Sequence, residues 1–599
     1  MRAKLFLLIS ILLLTACNST IRNTKIDKSK SLEINHGVVG VQVINNAERL
    51  AAFHRSWTEV IVVRMDNFEE KKQRAVAIAK SKAKTKDKDS INEDNVDWEP
   101  DVYSLSPTQE GLIDSQIFIG SMPAGTYIIS SLYSYYNGSD YTSWLTMPVD
   151  YSAGVFKVEK GQLTNLGSVV FQPLLNVQEK SFWSQKSSQK AYVTRLDAQQ
   201  KLDEFLLSNY PNLAENLDLS KVISWESDEL DSFRSDLGNL SRQNAYGKTA
   251  IPLTIHGKGA IASKFGQIKW QDHQGQWHQL DLATNSQIAA VLETKNQLMA
   301  AGERGEIFIS NSWLGDWSQV SRVSANEAVI WFGKGESSFY AMTQSINEFN
   351  VYQFTSFESD WVKLRSFKRK LNRLLSAFGN VFPIITKSGQ MSVLNDNKLF
   401  EFNPHANSWS EQVSTRLLAL SQLANGDLVG LETSHWDGVG DQVISQDSGK
   451  TWTKVNRNLL AFDDSETERS LPVVFSDGTV VTLGRKKTKT KENKTVRSDL
   501  KLISTTLAQA ENDKSWSYHG NPMPECETLL AQISSVEEIY FLCDEGDVVF
   551  TNDLGQSWQH VVKIDIADMQ VKFNKLVEAA KAEKLKQQAE AKSQDIPKL

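Results

Sequence analysis

Two eight-residue stretches carry the most structural information: Ser445-Gln446-Asp447-Ser448-Gly449-Lys450-Thr451-Trp452 and Thr551-Asn552-Asp553-Leu554-Gly555-Gln556-Ser557-Trp558. In both, a glycine stands two positions after the aspartate and a tryptophan stands five positions after it. An aspartate that opens a turn accepts backbone N–H groups, and glycine permits the positive φ that such turns need. The tryptophan then buries a large ring beside its neighbours. The residues predicted to build the two turns are Ser445, Asp447, Gly449, Trp452, Thr551, Asp553, Gly555 and Trp558.

Tryptophans recur at a regular spacing around these stretches. The seven markers are Trp277, Trp317, Trp361, Trp409, Trp452, Trp516 and Trp558. Their successive spacings are 40, 44, 48, 43, 64 and 42 residues, and five of these match the length of a four-stranded propeller blade. The longest spacing contains a lysine-rich run at residues 485–491, which indicates an insertion. The repeat therefore predicts a seven-bladed β-propeller over residues 249–563.

Both stretches match the Asp-box, Ser/Thr-x-Asp-x-Gly-x-Thr/Ser-Trp. Asp-boxes recur in sialidases, in sortilin-like receptors and in propellers of the photosystem II assembly factors. The repeat here, with weak and uneven boxes in its other blades, most resembles the assembly-factor group. This resemblance covers roughly residues 250–563 and implies the propeller type, without any link to photosynthesis.

The motifs of an enzyme are missing. A sialidase carries an Arg-Ile-Pro-like motif before its first Asp-box, but residues 249–253 have Ala250 in place of the arginine. The sequence contains no Gly-x-Ser-x-Gly and no His-Glu-x-x-His, and its histidines lack metal-ligand spacing. We therefore predict no catalytic residues, no cofactor and no metal. A sialidase-like carbohydrate-active enzyme or carbohydrate-binding protein is the alternative.

The composition is that of a globular protein. Of the 599 residues, 40% are hydrophobic and 23% are charged, and the formal net charge is −7. A nucleic-acid-binding protein would need an excess of basic over acidic residues, so nucleic acid is not expected as a partner. Only the N-terminus is apolar enough to meet a membrane, which excludes a polytopic membrane protein.

The N-terminus predicts export and lipid anchoring. Residues 1–16 combine a basic start with a short apolar run, as in a secretory signal peptide. The run ends in Leu14-Thr15-Ala16-Cys17, which resembles a bacterial lipobox and implies acylation (palmitate) of Cys17. Asn18 in place of aspartate implies, by the same resemblance, the Gram-negative outer membrane, with its periplasmic or surface face left open. An ordinary signal peptide with a chance cysteine is the alternative; residues 18–32 read as a flexible tether.

The two remaining cysteines predict a disulfide bond. Export reaches an oxidising compartment, in which such a pair is expected to bond. Cys526 and Cys543 flank two strand-like runs with a turn predicted near Ser534, so the two thiols face each other across a hairpin. No Cys-x-x-Cys is present, so we expect a structural bond.

The rest of the chain divides by pattern. Short β-branched runs between turn residues predict a β-sandwich over 33–175, with a mobile loop insertion at 69–101. Helical spacing of leucines predicts a helical linker over 176–248. The tail, 564–599, is predicted helical, and its first two turns are expected to dock on the propeller or, less simply, to bind a partner. The predicted fold is mainly β: a sandwich, a short helical linker, a propeller and a C-terminal helix.

Aromatic residues concentrate in the sandwich between Ser131 and Trp144. Tyr133, Tyr135 and Tyr136 belong to this group. Packing in the core and at sheet edges is the simpler interpretation, and stacking on sugars is the alternative.

Basic residues concentrate in insertions of the propeller. The segment 362–373 is expected to follow a fourth strand, whereas 434–440 and 485–497 join second to third strands, and such connections lie on one face. The candidate binding rim consists of Arg365, Lys368, Arg369, Arg373, His435, Trp436, Arg485, Lys486 and Lys487. This rim is predicted to bind an envelope protein or an anionic glycan or lipid, with Trp436 as aromatic anchor. Solvated insertions without a partner are the simpler alternative.

These observations favour a membrane-anchored envelope lipoprotein that acts as a non-catalytic binding or assembly scaffold. A purely structural tether is a third possibility. Neither the ligand nor the oligomeric state follows from the sequence.

Overall fold

The computed structural model describes residues 21–594, with gaps, as two compact units. One unit comprises Met1–Gln243 and Ile566–Leu599, and the other comprises Asn244–Asp565. The gaps are residues 47–55, 85–87, 89, 113–114, 138–141, 150–151, 181–184, 197–201, 246–251, 256–257, 370–380, 434–438, 456–469, 490–494, 513–514, 527 and 544–545. The signal sequence and Cys17 lie outside the described residues.

Ten strands form the sheet of the first unit. They are β1 (Arg22–Asn23), β2 (His36–Asn45), β3 (Glu59–Arg64), β4 (Val102–Leu112), β5 (Ser115–Pro123), β6 (Gly125–Asn137), β7 (Thr142–Pro148), β8 (Val155–Val158), β9 (Leu163–Lys180) and β10 (Gln185–Leu196). Their order is β10-β9-β2-β5-β4-β3-β6-β7, with β1 beside β4 and β8 beside β6. The predicted run of short β-branched strands is confirmed. The tether predicted over 18–32 is wrong from Arg22 onward: Arg22 and Asn23 pair with β4, and Ile26 and Leu32 pack on a hydrophobic cluster, because isolated apolar residues in a polar stretch do not show that a sheet edge is there to receive them.

The two halves of this sheet share β4. Residues Val102–Leu105 pair with β3, whereas Ser106 and Pro107 pair with β5. One hydrophobic core nevertheless collects side chains from both halves, among them Val62 and Phe118. The predicted β-sandwich is therefore confirmed only in part, because the shared strand joins both layers into one continuous sheet.

Residues 69–101, predicted as a mobile loop insertion, contain a helix instead. Helix α1 (Phe68–Lys82) buries none of its residues. Its sequence is rich in alanine, lysine and glutamate, which favour helix, and Glu69 in the first turn and Lys82 in the last complement the helix dipole. The loop prediction is wrong for these residues because an exposed helix is as polar as a loop and shows no apolar stripe.

The helices after the sheet begin later than predicted. They are α2 (Leu202–Asn209), α3 (Pro211–Ala214) and α4 (Asp231–Gln243). The first part of the predicted linker, from residue 176 onward, belongs instead to the hairpin of β9 and β10. The stretch Gln185–Lys190 is wholly polar, so its sequence shows no strand pattern. Its backbone nevertheless pairs with β9, and this pairing gives it the extended conformation of a strand. The linker prediction is wrong up to Leu196.

The predicted C-terminal helix is confirmed as α5 (Ile566–Gln594), but it docks elsewhere than expected. Met569 is fully buried in a cluster that includes Leu237 of α4. Phe573 stacks on Tyr192 of β10, with ring centroids 5.0 Å apart. The helix thus packs on the N-terminal unit, whereas docking on the propeller was expected, because an apolar stripe shows that a helix docks without showing where. No helix among the described residues is long and apolar enough to cross a membrane.

Two buried arginines connect α4 to β10. Arg234 is 1% exposed and pairs with Asp228 at 2.6 Å and with Asp231 at 2.8 Å, while Arg195 pairs with Asp231 at 2.8 Å. The Thr194 hydroxyl donates to the Arg234 carbonyl at 3.0 Å. Burial alone would raise the pKa of both carboxyls. Hydrogen bonds from Arg234 to Asp228 and from Ser227 to Asp231, together with the arginine charges, outweigh it and lower both pKa values.

The second unit contains seven four-stranded antiparallel sheets. Blades 1 to 3 are β11 (Pro252–Ile255), β12 (Lys258–Ala262), β13 (Gln267–Gln271), β14 (Trp277–Asp281); β15 (Ile288–Glu293), β16 (Leu298–Gly302), β17 (Ile307–Ser310), β18 (Ser318–Val320); and β19 (Ala328–Lys334), β20 (Phe339–Gln344), β21 (Glu348–Phe354), β22 (Val362–Lys368). Blades 4 and 5 are β23 (Val381–Ile385), β24 (Met391–Asn395), β25 (Lys398–Asn403), β26 (Ser408–Val413); and β27 (Leu417–Gln422), β28 (Leu428–Thr433), β29 (Val439–Ser445), β30 (Thr453–Val455). Blade 6 is β31 (Val473–Val474), β32 (Thr479–Gly484), β35 (Lys501–Thr506) and β36 (Ser517–Tyr518), with the inserted hairpin β33 (Lys487–Lys489) and β34 (Thr495–Arg497). Blade 7 is β37 (Thr528–Leu529), β38 (Ile539–Leu542), β39 (Val548–Thr551) and β40 (Gln559–Val562).

The predicted seven-bladed β-propeller is confirmed, and each marker tryptophan lies at the start of the fourth strand of its own blade. Burial is greatest in the second strands and least in the fourth: all five residues of β16 are buried, whereas five of six in β26 are exposed. Apolar sequence therefore marks the inner strands, and the tryptophan marks the outer one.

Blade 1 packs on blade 7 to close the ring. Every blade is built from consecutive strands, so no strand is exchanged between the two ends. Ile261 packs with Leu530 and Tyr540, and the Tyr540 ring lies 6.4 Å from that of Trp277. The predicted disulfide between Cys526 and Cys543 is present within blade 7.

We expect Arg234→Met to lower the free energy of unfolding by about 2–3 kcal/mol at pH 7, because two carboxylates lose their buried partner while still reaching solvent. Both carboxyls have lowered pKa values, so this stabilisation is present above about pH 4 and is lost as the pH falls below it. Urea unfolding at pH 7 and pH 3 measures both effects. The control is Lys398→Met, which removes a surface ion pair with the exposed Glu411. An equal loss in both variants would contradict the role of Arg234.

Candidate functional site

The two turns recognised in the sequence share one hydrogen-bond pattern. Asp447 Oδ1 accepts the backbone N–H of Thr451 at 2.9 Å, and its Oδ2 accepts the Thr451 hydroxyl at 2.6 Å. Asp553 accepts the N–H and hydroxyl of Ser557 at the same two distances. The hydroxyl of Ser445 donates to Asp447 at 2.8 Å, and that of Thr551 donates to Asp553 at 2.7 Å.

Each of these two turns also bonds its own blade to the preceding one. Gly449 and Gly555 have φ of 90° and 85°, as expected at their positions. The indole N–H of Trp452 donates to Ser414 just after blade 4, and that of Trp558 donates to the Asn521 carbonyl just after blade 6. Each turn therefore fixes an outer strand and a neighbouring blade.

The hydrogen bonds leave both carboxylates ionised. Donation from Ser557 and then from Thr551 lowers the pKa of Asp553 to about 2. For Asp447, burial acts in the opposite direction, but donation from Thr451 and Ser445 lowers its pKa as well. A general acid needs a raised pKa, so neither aspartate is suited to protonate a leaving group.

The predicted basic rim is distributed over two separate blades. Arg365 and Lys368 lie within β22 itself, so the expectation that this segment follows a fourth strand is wrong for residues 362–368. Val362 and Leu364 alternate there with Lys363 and Arg365, but Phe367 breaks the alternation, and the register with β21 shifts at Leu364, so the strand shows no continuous pattern. Arg485 and Lys486 follow β32 in blade 6, with blades 4 and 5 between the two groups. Lys487 begins β33; Arg373, His435 and Trp436 lie outside the described residues.

Arg365 has partners within the propeller. Its guanidinium lies 4.4 Å from the ring centroid of Phe400, 5.1 Å from that of Phe367 and 5.5 Å from that of Trp409. This cation–π contact joins blade 3 to blade 4. Burial lowers the pKa of Arg369, and its Nη1 donates to the Ser345 carbonyl at 3.4 Å. Lys368 is exposed.

A cavity of about 350 Å³ opens among the turns that join first to second strands in blades 5, 6 and 7. Its lining consists of residues 423–425, 474–476, 531–532 and 534–537. Leu423, Val474 and Phe475 are buried and form apolar walls. Amide and hydroxyl side chains, two alanines and Val536 complete the lining, and Glu537 is the single ionisable residue of the set. Since first strands lie nearest the axis of a propeller, this cavity lies at the mouth of the central channel.

Ion pairing braces one wall of the cavity. Lys387 Nζ, from the equivalent turn of blade 4, lies 2.6 Å from the buried Asp427 Oδ1. Asn425 Nδ2 donates to the other oxygen of Asp427 at 2.9 Å. The wall formed by residues 423–425 is therefore held by its own turn and by the adjacent blade, which gives the cavity a defined shape.

This cavity was not predicted from the sequence, although the turns of two of its three blades carry a signal. The turns of blades 4, 5 and 6 carry Ser388-Gly389, Asn425-Gly426 and Asp477-Gly478, and these glycines have φ of 76°, 83° and 83°. Such pairs between apolar runs are typical of hairpin turns. Aligning them by blade would have placed the lining turns of blades 5 and 6 at one face, beside the turn of blade 4, whereas the blade 7 turn at residues 531–537 carries no such pair. Within the described ranges, no group of three metal-ligating side chains comes together.

No family model and no curated protein matches the chain. Solved structures resemble about half of it. YCF48 from Cyanidioschyzon merolae is 10% identical, with a TM-score of 0.35, over 48% of this chain and 90% of that one. The Cps50 (Swd1) β-propeller domain of Myceliophteria thermophila is 9% identical, with a TM-score of 0.34, over 51% and 96%. A puromycin-hydrolyzing peptidase of Mycobacterium tuberculosis is 8% identical, with a TM-score of 0.35, over 53% and 52%. These likenesses concern the fold alone.

We expect Asp553→Ala to lower the thermal unfolding midpoint of the propeller at pH 7, because four donors of the turn lose their acceptor. The pKa of Asp553 is lowered, so its contribution is present above about pH 4 and lost as the pH falls towards about 2. The difference from the parent protein should therefore shrink at low pH. Calorimetry across this range measures it. Asp316→Ala, at an exposed position in the corresponding turn of blade 2, is the control and should leave the midpoint unchanged.

Proposed function

We propose that this protein is an envelope lipoprotein that binds a segment of a partner protein at the channel-mouth cavity of its propeller. The two unusual turns are then Asp-boxes with a structural role, and the chain acts as a scaffold without catalysis. The observation that carries the proposal is the cavity at residues 423–425, 474–476, 531–532 and 534–537.

The size and lining of the cavity define what it can accept. A volume of about 350 Å³ is at the lower end for ligand sites and suits one or two side chains. The apolar walls at Val474 and Phe475 favour an apolar side chain, and the surrounding amide and hydroxyl groups suit the backbone beside it. Val536 is 55% exposed at the rim, where it extends the apolar surface towards an approaching partner. A projecting loop or chain end fits these features better than a flat surface does.

The N-terminus supports the proposed location. Residues 1–16 and Cys17 have the order expected of a lipoprotein precursor. Two or three acyl chains anchor a protein stably. Because Arg22 already pairs with β4, only the few residues before it would lie between the lipid and the folded unit. Asn18 favours the outer membrane by the resemblance described above.

We expect Cys17→Ser to move the protein from the membrane fraction to the soluble fraction and to remove the mass of the acyl chains. Asn18→Asp should keep the lipid but shift the protein to the inner membrane. Membrane fractionation and intact-mass spectrometry measure both results, with Ser19→Ala as the control. An unlipidated parent protein would refute the anchoring proposal and leave the binding proposal intact.

For the cavity, we expect a photoreactive amino acid at position 536 to crosslink one specific envelope protein in cells. The same probe at Val413, which is 79% exposed on the outer strand of blade 4, should not. Ser476→Arg places a large cation in the cavity and should abolish the crosslink, whereas Ser410→Arg, on that outer strand, should leave it. A crosslink that persists in Ser476→Arg, or that forms equally from position 413, would contradict the cavity as the binding site.

A further inference from the structure

The N-terminal unit carries an exposed aromatic surface on strands β6 and β7. Tyr135 and Trp144 are directly opposite each other in the antiparallel register, and they are 47% and 69% exposed. Their neighbours on the other side of the strands, Leu132 and Met147, are buried. Alternation therefore directs the two rings away from the core, contrary to the simpler expectation of core packing.

The residues around the rings are polar and nearly uncharged. The register places Asn137 opposite Thr142, and Tyr133 opposite both Thr146 and Glu59. The Thr142 hydroxyl donates to Asn137 Oδ1 at 2.9 Å. We call Glu59, Tyr133, Tyr135, Asn137, Thr142, Trp144 and Thr146 the aromatic platform. Within it, Glu59 is the one ionisable side chain charged at neutral pH.

Tyr133 connects the rings to the acidic end of the platform. Burial, followed by the charge of Glu59 and the proximity of Tyr135, raises the pKa of the Tyr133 hydroxyl. The Tyr133 hydroxyl can both donate and accept a hydrogen bond. The platform thus presents two exposed rings, a phenol, an amide, hydroxyls and one carboxylate.

We propose that this platform is a binding site for a neutral glycan. The apolar C–H face of a pyranose ring packs on an exposed aromatic ring, and sugar hydroxyls pair with amide, hydroxyl and carboxylate groups. Cross-strand neighbours lie about 5 Å apart, so the register places Tyr135 and Trp144 side by side on the same exposed face. Exposed aromatic patches rimmed by polar groups mark interaction sites.

Charge and geometry argue against the other occupants. Acidic glycans and phosphate-bearing lipids would meet the Glu59 carboxylate without any cation in the platform. A peptide added as a strand would pair with the backbone of β7, which lies at the end of the sheet order, and would not need the two rings. The exposure of both rings is explained by a flat ligand with apolar faces.

The test uses the full-length protein in detergent on an array of neutral oligosaccharides built from glucose, galactose, mannose and N-acetylglucosamine, beside sialylated and sulfated ones. We expect binding to neutral members only, with calorimetry giving the affinity for the best of them. Trp144→Ala and Tyr135→Ala should each weaken it by roughly tenfold or more. Trp144→Phe and Tyr135→Phe keep a ring and should lose far less. Leu314→Ala, at a residue 85% exposed in the propeller, is the matched control and should bind as the parent does.

Three results would overturn the proposal. The first is no binding to any neutral oligosaccharide. The second is binding that the two alanine variants retain in full, and the third is a preference for the charged glycans. If unstructured peptides bind the alanine variants and the parent protein equally, the edge strand β7 binds a peptide by strand addition instead. The propeller cavity takes no part in this experiment, so its outcome is independent of the proposed scaffold function.

Discussion

Packing between the first and last blades is the constraint on which the propeller depends. Each four-stranded sheet has two apolar faces, and only neighbouring blades can cover them. Because no strand is exchanged between blade 1 and blade 7, side-chain contacts such as Ile261 on Leu530 and Tyr540 carry the closure. The bond between Cys526 and Cys543 holds the first hairpin of blade 7, where the first strand has two residues.

In the closed ring, inner and outer strands are held in place by different interactions. Inner strands are apolar because both of their faces are covered, whereas outer strands need other devices to stay in place. The turns at Asp447 and Asp553 hold two of these outer strands, and Arg365 stacks over aromatic rings to hold a third. The turns nearest the axis do not hold outer strands in place, and three of them surround the cavity.

The first unit uses both ends of the chain. Helix α4 precedes the propeller in sequence and α5 follows it, yet Leu237 and Met569 lie in one hydrophobic cluster. The buried Arg234 fixes α4 to β10 on the other side. The propeller is thus an insertion within a unit whose last helix is supplied after it. The aromatic platform belongs to this same unit, so the two proposed binding sites lie in different units of the chain.

The sequence by itself determined the propeller, its number of blades, the structural turns and the disulfide, because each depends on residues close in the chain or on a repeated period. Only the tertiary structure decided which surface the tail helix covers, that β9 and β10 extend into the predicted linker, and that α1 replaces a loop. It also decided that Arg365 faces aromatic rings and that Tyr135 and Trp144 face outward. These outcomes depend on contacts between residues far apart in sequence, or on which face of a strand is covered. A local pattern gives the period of a strand but not the partner that covers it.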